Sequence, residues 1–529
     1  MRNTLCPAGI SRPVKAAFLS CFAAGYLAHL FAFTNLIPNS DGLSRVFDTQ
    51  QMTVAGRWFL HYASFFHGFL QAPAVIGFFT VLFLSLAAGF TVSLLRIEGP
   101  VTAGLTGVLM AVFPSVAFTL LYLFTSSAYS FGILLAVLSV WLTDRKPRLL
   151  IPGALVLACA VGTYQAYFGV AAALALIRVL CFALDPDRSA KQTLRFGLRF
   201  LALLLAGLAL YYGELLVFLR VKHLTLMDYK DIGELGSGSL LGTVLSRLGA
   251  AYTDFSTLCP TPLLAAASLA FLGTGVWALV RIGLRSGQLR RPAFWLRILP
   301  LLALLPLALN VPVLLVKHPR DYMRYSLVFG CVLVLALTDR ACRSPQPAPC
   351  PAESDAPRPA EPRGTKRLFR ADVCLGLLLS ILFFQRDNLA YTAAATAHRA
   401  TLSFATRLVS RVEALPGYES GMEVVIIGSY PDELYTGEVA AFAEVDAPSY
   451  SVLSLNKHVY YYLNDWLNVP WQEPPEETFL EVSGSETFRA MPLYPSDGSV
   501  VIEDGRVIVK LSPYYRPKSE YEIQYENRK

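Results

Sequence analysis

The sequence predicts a polytopic α-helical membrane protein of about eleven spans, with a folded α/β extracytoplasmic domain at its C-terminal end. Three observations predict it. Hydrophobic residues are 54% of the 529 and charged residues only 16%, against roughly 25% charged in ordinary globular chains. Apolar runs near the ~20 residues that a spanning helix needs recur up to position 390. Beyond Asn388 the composition shifts to the alternating patterns of a compact fold.

The apolar runs fall at 15–37, 71–95, 101–123, 127–143, 149–163, 166–184, 196–219, 262–282, 293–316, 322–339 and 371–390. The stretch 149–184 is too long for one span, and its one polar interruption, GTYQAY at 162–167, divides it into two short helices meeting at one membrane face. Charge supports the division. With the N-terminus inside, the inside segments and adjacent span ends hold 23 Lys and Arg, and the outside loops before the last span hold nine. That bias is the one expected of inner-membrane proteins. Removing one span from 149–184 would place most Arg-rich loops outside. The first apolar run follows Arg2, Arg12 and Lys15 and lacks a small-residue cleavage site, so it is expected to be a retained span.

The transmembrane part is expected to occupy residues 1–390, including a Pro- and Ala-rich cytoplasmic linker at 344–366. Residues 391–529 form the predicted extracytoplasmic domain. Within it, 391–415 has helical amphipathic spacing and EVVIIGS (423–429) reads as a buried strand. The alternating segments of 500–511, joined at Asp504-Gly505, read as a β-hairpin. This part is expected to cap or recognise rather than catalyse, because its polar residues form no catalytic constellation.

Several classes are excluded. The net charge of +7 lies beside apolar spans, where it serves topology, and no nucleic-acid-binding motif is present. The nine cysteines include no CxxC pair and no His/Cys group of zinc spacing, so neither disulfides nor a structural metal are expected to hold the fold.

The outer loops carry the candidate chemistry. The first places Asp41 just after span 1, followed by Arg45, Asp48, Gln51, Arg57 and Trp58. A carboxylate at the water–lipid boundary can accept a proton from a hydroxyl or bind a divalent cation; spacing alone leaves an ordinary solvated acid open. Tyr164, Gln165 and Tyr167 lie at a helix break, where irregular backbone is tolerated if it lines a cavity. They could hold a sugar, or form an interfacial aromatic belt. KHPRDYMRY (317–325) sets Lys317, His318, Arg320 and Arg324 on the outer side, against the positive-inside trend. A phosphate would offset that cost through guanidinium forks; lipid headgroups or Asp321 would also serve. Asp228, Lys230, Asp231 and Glu234 sit in a second outer loop, expected to be a mobile cover or a plain connector.

NSDGLSR (39–45), GRWFL (56–60), GTYQAY (162–167), PRDYMRY (319–325) and MPLYPSDGSV (491–500) with the following RVIVKL resemble, in their order, the bacterial GtrII-type glucosyltransferases of O-antigen serotype conversion. The resemblance implies a GT-C-like integral-membrane enzyme of the bacterial inner membrane. It implies an undecaprenyl-phosphate sugar as donor, with transfer at the periplasmic face to a lipid-linked or surface polysaccharide. Asp41 then occupies the place of the first-loop acid and is the expected base. Arg320 and Arg324, with Lys317 or Arg57, would bind the donor phosphate. Tyr164, Gln165, Tyr167 and Arg45 would orient sugar or acceptor. Ser40-Asp41-Gly42 stands where many GT-C members have paired acids. No cofactor is therefore assigned, and a divalent cation stays an open alternative. A flippase or transporter of lipid-linked sugars is the alternative reading, but no inverted repeat of any motif appears and the polar groups cluster on one face. An envelope scaffold is a further rival, one that would not need these polar residues on one side.

Overall fold

The computed structural model describes residues 10–43, 47–226, 240–316, 318–343, 363–430, 442, 445 and 451–518. Among them, nine helices are long and apolar enough to cross a membrane, and two shorter apolar helices lie at Pro147–Thr163 and Tyr167–Ala183. The chain is a membrane-embedded helical protein. Proline and extended residues set many of its boundaries. α1 (Arg12–Thr34) and α2 (Pro73–Leu95) flank the first loop. The expected span 101–123 is two helices, α3 (Pro100–Val112) and α4 (Pro114–Leu120), because Phe113 is extended and Pro114 lacks the amide that would continue the ladder. α5 (Leu123–Arg145) follows at once.

The long run at 149–184 breaks within GTYQAY. Tyr164 is extended (φ −158°, ψ 126°) between α6 (Leu150–Thr163) and α7 (Tyr167–Ala183). α8 (Ala190–Val221) opens with a capping box between Ser189 and Gln192. The loop expected as the second outer one contains α9 (Leu240–Thr253), which its polar composition had not suggested; Asp228, Lys230, Asp231 and Glu234 lie outside the described residues. α10 (Pro262–Arg285), α11 (Pro292–Leu309, with Pro300 and Pro306 inside), α12 (Val311–Leu315) and α13 (Val328–Cys342) complete the run before the linker.

Most of the expected linker, 344–362, lies outside the described residues. The last span and the amphipathic helix after it are one 51-residue helix, α14 (Arg363–Glu413), which passes unbroken through the expected boundary at 390/391. No Pro or Gly lies between Gly376 and Glu413 to end it. Its last turns bury Phe404, Ala405, Leu408 and Val412 against a sheet. That sheet has the order β1-β3-β2. β1 (Glu423–Ile427) is parallel to β3 (Arg506–Lys510), and β3 is antiparallel to β2 (Val500–Glu503). The hairpin turn has positive φ at both Asp504 (49°) and Gly505 (76°), the requirement of a two-residue primed turn. α15 (Asn456–Leu467) covers the sheet with Val459, Tyr460 and Leu463.

Two separate hydrophobic clusters result, one in the bundle and one around the sheet. Leu43 of the first loop belongs to the second, and Trp466 of α15 donates its indole N–H to the Leu43 carbonyl at 3.1 Å. The sheet unit therefore sits on the face of the bundle that carries Asp41. The opposite ends of the helices hold ion pairs of Arg178 with Asp144, Arg340 with Asp185 and Arg343 with Glu98 and Asp339.

Candidate active site

Asp41 lies on a single 3₁₀ turn, Ser40–Gly42, and is exposed. The turn is held on three sides. The Asn39 side chain accepts the Gly42 amide at 2.9 Å and donates to the Leu121 carbonyl at 2.5 Å, and Gln71 donates to the Gly42 carbonyl at 3.0 Å. The turn is thus fixed beside the α4–α5 junction, and among the described residues no bond that holds it uses the Asp41 carboxylate.

GRWFL and GTYQAY form one interlocked unit. Gly56 adopts φ +75°, and a Cβ there would strike the Gln165 amide nitrogen at 2.5 Å and the Tyr211 hydroxyl at 2.7 Å. A Cβ on Gly162 would meet the Trp58 ring at 2.6 Å. Phe59 donates its amide to the Gly162 carbonyl at 2.9 Å, and Gln165 donates to the Ala55 carbonyl at 2.8 Å. Gln165, expected to orient a sugar, has a structural role, since its side-chain N–H donors hold the first loop.

Arg57 emerges from this unit half-buried. It donates to the Tyr129 hydroxyl at 3.0 Å and lies over the Tyr164 ring, 4.7 Å from the centroid. Tyr164 stacks on Tyr129 (4.7 Å, 12°), and Tyr167 packs edge-on against both. Tyr164 is 3% exposed and Tyr167 1%. The rings expected to stack on a sugar are instead the floor under Arg57. The accessible aromatics are Tyr322 of PRDYMRY and Tyr122 of the α4–α5 junction, half-buried and 5.1 Å apart, with Tyr322 6.2 Å from Tyr164. Sequence reasoning missed both; Tyr322 sat inside a motif read only for its cations.

The PRDYMRY segment is pinned by two ion pairs. Asp321 accepts Arg386 of α14 at 2.8 Å and the Thr257 hydroxyl at 2.5 Å. Arg324, expected on the donor phosphate, is 3% exposed and forks onto Asp254 at 2.5 and 2.9 Å; its other donors reach the Pro319 carbonyl and Ser256. Its hydrogen bonds hold the Asp254 carboxyl down at about 2. Arg324 is a clamp, because its donors are already satisfied inside the protein. Arg320 is exposed. Lys317 and Arg45 lie outside the described residues. Sequence reasoning missed Asp254, a lone acid late in the loop between 220 and 261, and Arg386, which stands beside Asp387 near the end of the expected last span.

A divalent cation takes several oxygen ligands. Among the described residues no group of three or more His, Cys, Asp or Glu side chains is assembled to hold a metal.

The sequence profile of the family described as Glucosyl transferase GtrII matches residues 30–335, more than half of the chain. The chain belongs to the GtrII glucosyl transferase family. The protein is accordingly a glycosyltransferase, and the matched segment holds Asp41, Arg57, GTYQAY and PRDYMRY. The sheet unit of this GtrII member lies beyond the match. No curated protein and no solved structure matches the chain.

Proposed function

We propose that this GtrII glucosyltransferase moves glucose from a polyprenyl-phosphate donor, such as undecaprenyl-phosphate glucose, to a lipid-linked or surface polysaccharide such as O-antigen. The reaction takes place on the periplasmic side of the bacterial inner membrane, with the N-terminus cytoplasmic and the sheet unit a periplasmic domain. The observation that supports the reading is a continuous path from the exposed Asp41 to Arg57: Asn39 beside it bonds the Leu121 carbonyl, the neighbouring Tyr122 packs on Tyr322, and Tyr322 on Tyr164, the ring under Arg57.

Asp41 removes the acceptor hydroxyl proton. The oxygen forms a bond to the anomeric carbon, and the bond from that carbon to the phosphate oxygen breaks with inversion. Polyprenyl phosphate leaves with the electron pair, and the proton stays on Asp41 until water takes it. Arg57 and Arg320 are the cations proposed to stabilise the leaving phosphate, and Tyr322 and Tyr122 offer ring faces to the sugar.

The test uses membranes supplied with radiolabelled undecaprenyl-phosphate glucose, following label into polysaccharide. Wild type transfers label. Asp41→Asn, which keeps the shape of an exposed side chain, expresses normally and loses at least about 10²-fold in rate, as removal of a general base does. Full transfer by Asp41→Asn at normal expression would remove Asp41 from the base role.

A further inference from the structure

The sheet unit supplies no group to the chemistry proposed above, yet it grips the segment that carries the base. Leu43, two residues from Asp41, is fully buried and belongs to the cluster around the sheet. Its carbonyl accepts the indole N–H of Trp466 at 3.1 Å. Trp466 is itself seated by other rings. It stacks on Tyr462, one turn earlier on α15, with centroids 6.2 Å apart and planes 4° apart. The imidazole of His398 on α14 packs edge-on against Trp466 at 5.7 Å and against Tyr462 at 6.0 Å. Ring contacts of this kind set orientation as well as burying area, so the indole N–H is aimed at Leu43 from α14.

The same helix fixes the other half of the site. Arg386 of α14 donates to Asp321 at 2.8 Å and to the Thr257 carbonyl at 2.7 Å, and Asp321 directly precedes Tyr322. His398 follows Arg386 by twelve residues with neither Pro nor Gly between them, a helical separation of about 18 Å. Helices without such residues curve only gently. α14 is therefore a stiff rule between two loops: Arg386 holds PRDYMRY, and His398, through Trp466, holds the first loop. Misplacing a reacting group by about 1 Å can cost about 10²-fold in rate, so the spacing of the two loops bears on turnover. We propose that the sheet unit is a positioning device for the transfer reaction, with Trp466 as the positioning residue that acts through Leu43 on the turn bearing Asp41. The inference rests on the reading of Asp41 as the base and gives a duty to a unit that lies beyond the GtrII match.

The test compares Trp466→Phe with Trp471→Phe in the full-length enzyme in lipid nanodiscs. Trp471 donates its indole N–H to the Tyr418 hydroxyl at 3.3 Å, so its replacement removes a similar bond that does not reach the first loop. Hydrogen exchange in the peptide covering 39–43 rises about fivefold in Trp466→Phe, the worth of one hydrogen bond, and stays at the wild-type rate in Trp471→Phe. Transfer of label per folded molecule shows kcat lowered at least about tenfold in Trp466→Phe with an unchanged KM for donor, and Trp471→Phe keeps the wild-type kcat. Leu43→Ala, which alters the same contact from the first-loop side, gives the same pair of changes as Trp466→Phe, so the outcome does not depend on how one tryptophan variant folds. Unchanged exchange over 39–43 in Trp466→Phe and Leu43→Ala would overturn the brace. Raised exchange with a wild-type kcat would overturn the positioning role, as would an equal loss of kcat in Trp471→Phe. Exchange is read without transfer, so full activity of Asp41→Asn, which would sink the base assignment, leaves the exchange difference standing and the two failures distinguishable.

Discussion

The clamp between Arg324 and Asp254 can be separated from a phosphate-binding role by its energetics. The Arg324 side chain is 4% exposed and that of Asp254 32%. Opposite charges about 4 Å apart at an effective dielectric of 20 attract by about 4 kcal/mol. Asp254→Ala leaves a guanidinium that cannot reach water, and stranding a buried charge costs about 3–5 kcal/mol. Retained bonds to the Pro319 carbonyl and Ser256 put the expected cost near the lower figure. Arg324→Ala leaves Asp254, which can rehydrate, so its cost is mainly lost packing. The double variant strands no charge and costs less than the sum of the singles by about 2–3 kcal/mol, the coupling of contacting residues. Thermal unfolding of the detergent-purified proteins reads this as Asp254→Ala being the least stable of the three. Donor titrations supply the second reading, in which both single variants lose active enzyme while the survivors keep the wild-type KM. Additive stabilities would refute the clamp, as would a KM raised by Arg324→Ala alone.

The remaining predictions concern the interlock, the aromatic face and acid. Gly162→Ala drives a methyl into Trp58, which is itself stacked on Phe218 at 5.3 Å; overpacking of this kind costs about 1–3 kcal/mol. Transfer activity per folded molecule falls further, since Arg57 is the next residue, and wild-type turnover would contradict the interlock. Tyr322→Ala raises the KM for donor or acceptor by up to about tenfold, from loss of a ring contact. Tyr167→Phe, at a ring 1% exposed, leaves kinetics unchanged, and reversed results would return the sugar to the buried tyrosines. His67 bonds Ser127 at 2.7 Å, and burial lowers its pKa from 6.5 to about 4. The unfolded chain then takes up a proton that the native chain refuses, so this stability is complete above pH 6.5 and falls away towards pH 4, by up to ~3 kcal/mol. His67→Gln should flatten the unfolding midpoint across that window, and an unchanged slope would exclude His67 as its source.

Much of the helical layout was legible because lipid imposes a simple rule, that a spanning segment must be apolar and about 20 residues long. The break at Tyr164 and the Asp504-Gly505 turn were legible for related reasons: one is a polar gap in an apolar run, the other a pair of residues suited to positive φ. The continuity of α14 was not, since the helix passes from the bundle cluster (Phe383 to Ala394) to the sheet cluster (Phe404 to Val412), and composition alone cannot tell a new neighbour from a new element. Within the site, residue type identified the segments but not the duties of their side chains. An arginine on an outer loop has the same sequence appearance whether its partner is a donor phosphate or Asp254, seventy positions away. Tyr164 and Tyr322 likewise differ only in what covers them.

This also accounts for the weakness of each motif taken alone. GRWFL is one half of a contact whose other half is GTYQAY. Gly56 needs Gln165 and Tyr211 to explain its missing side chain, and Gly162 needs Trp58. PRDYMRY is completed by Asp254 and Arg386, on segments with no motif. Asp41 is held by Asn39, whose amide reaches Leu121, and Leu43 is gripped by Trp466. An exposed carboxylate on a three-residue turn would otherwise wander, since such a turn has little stability of its own. Bracing the turn through its neighbours leaves the carboxylate exposed, as a base must be to meet its substrate. The sheet unit therefore has a mechanical reason to sit over the first loop: without the Trp466 bond and the packing around Leu43, the turn bearing Asp41 would keep its bundle contacts and lose its outer brace.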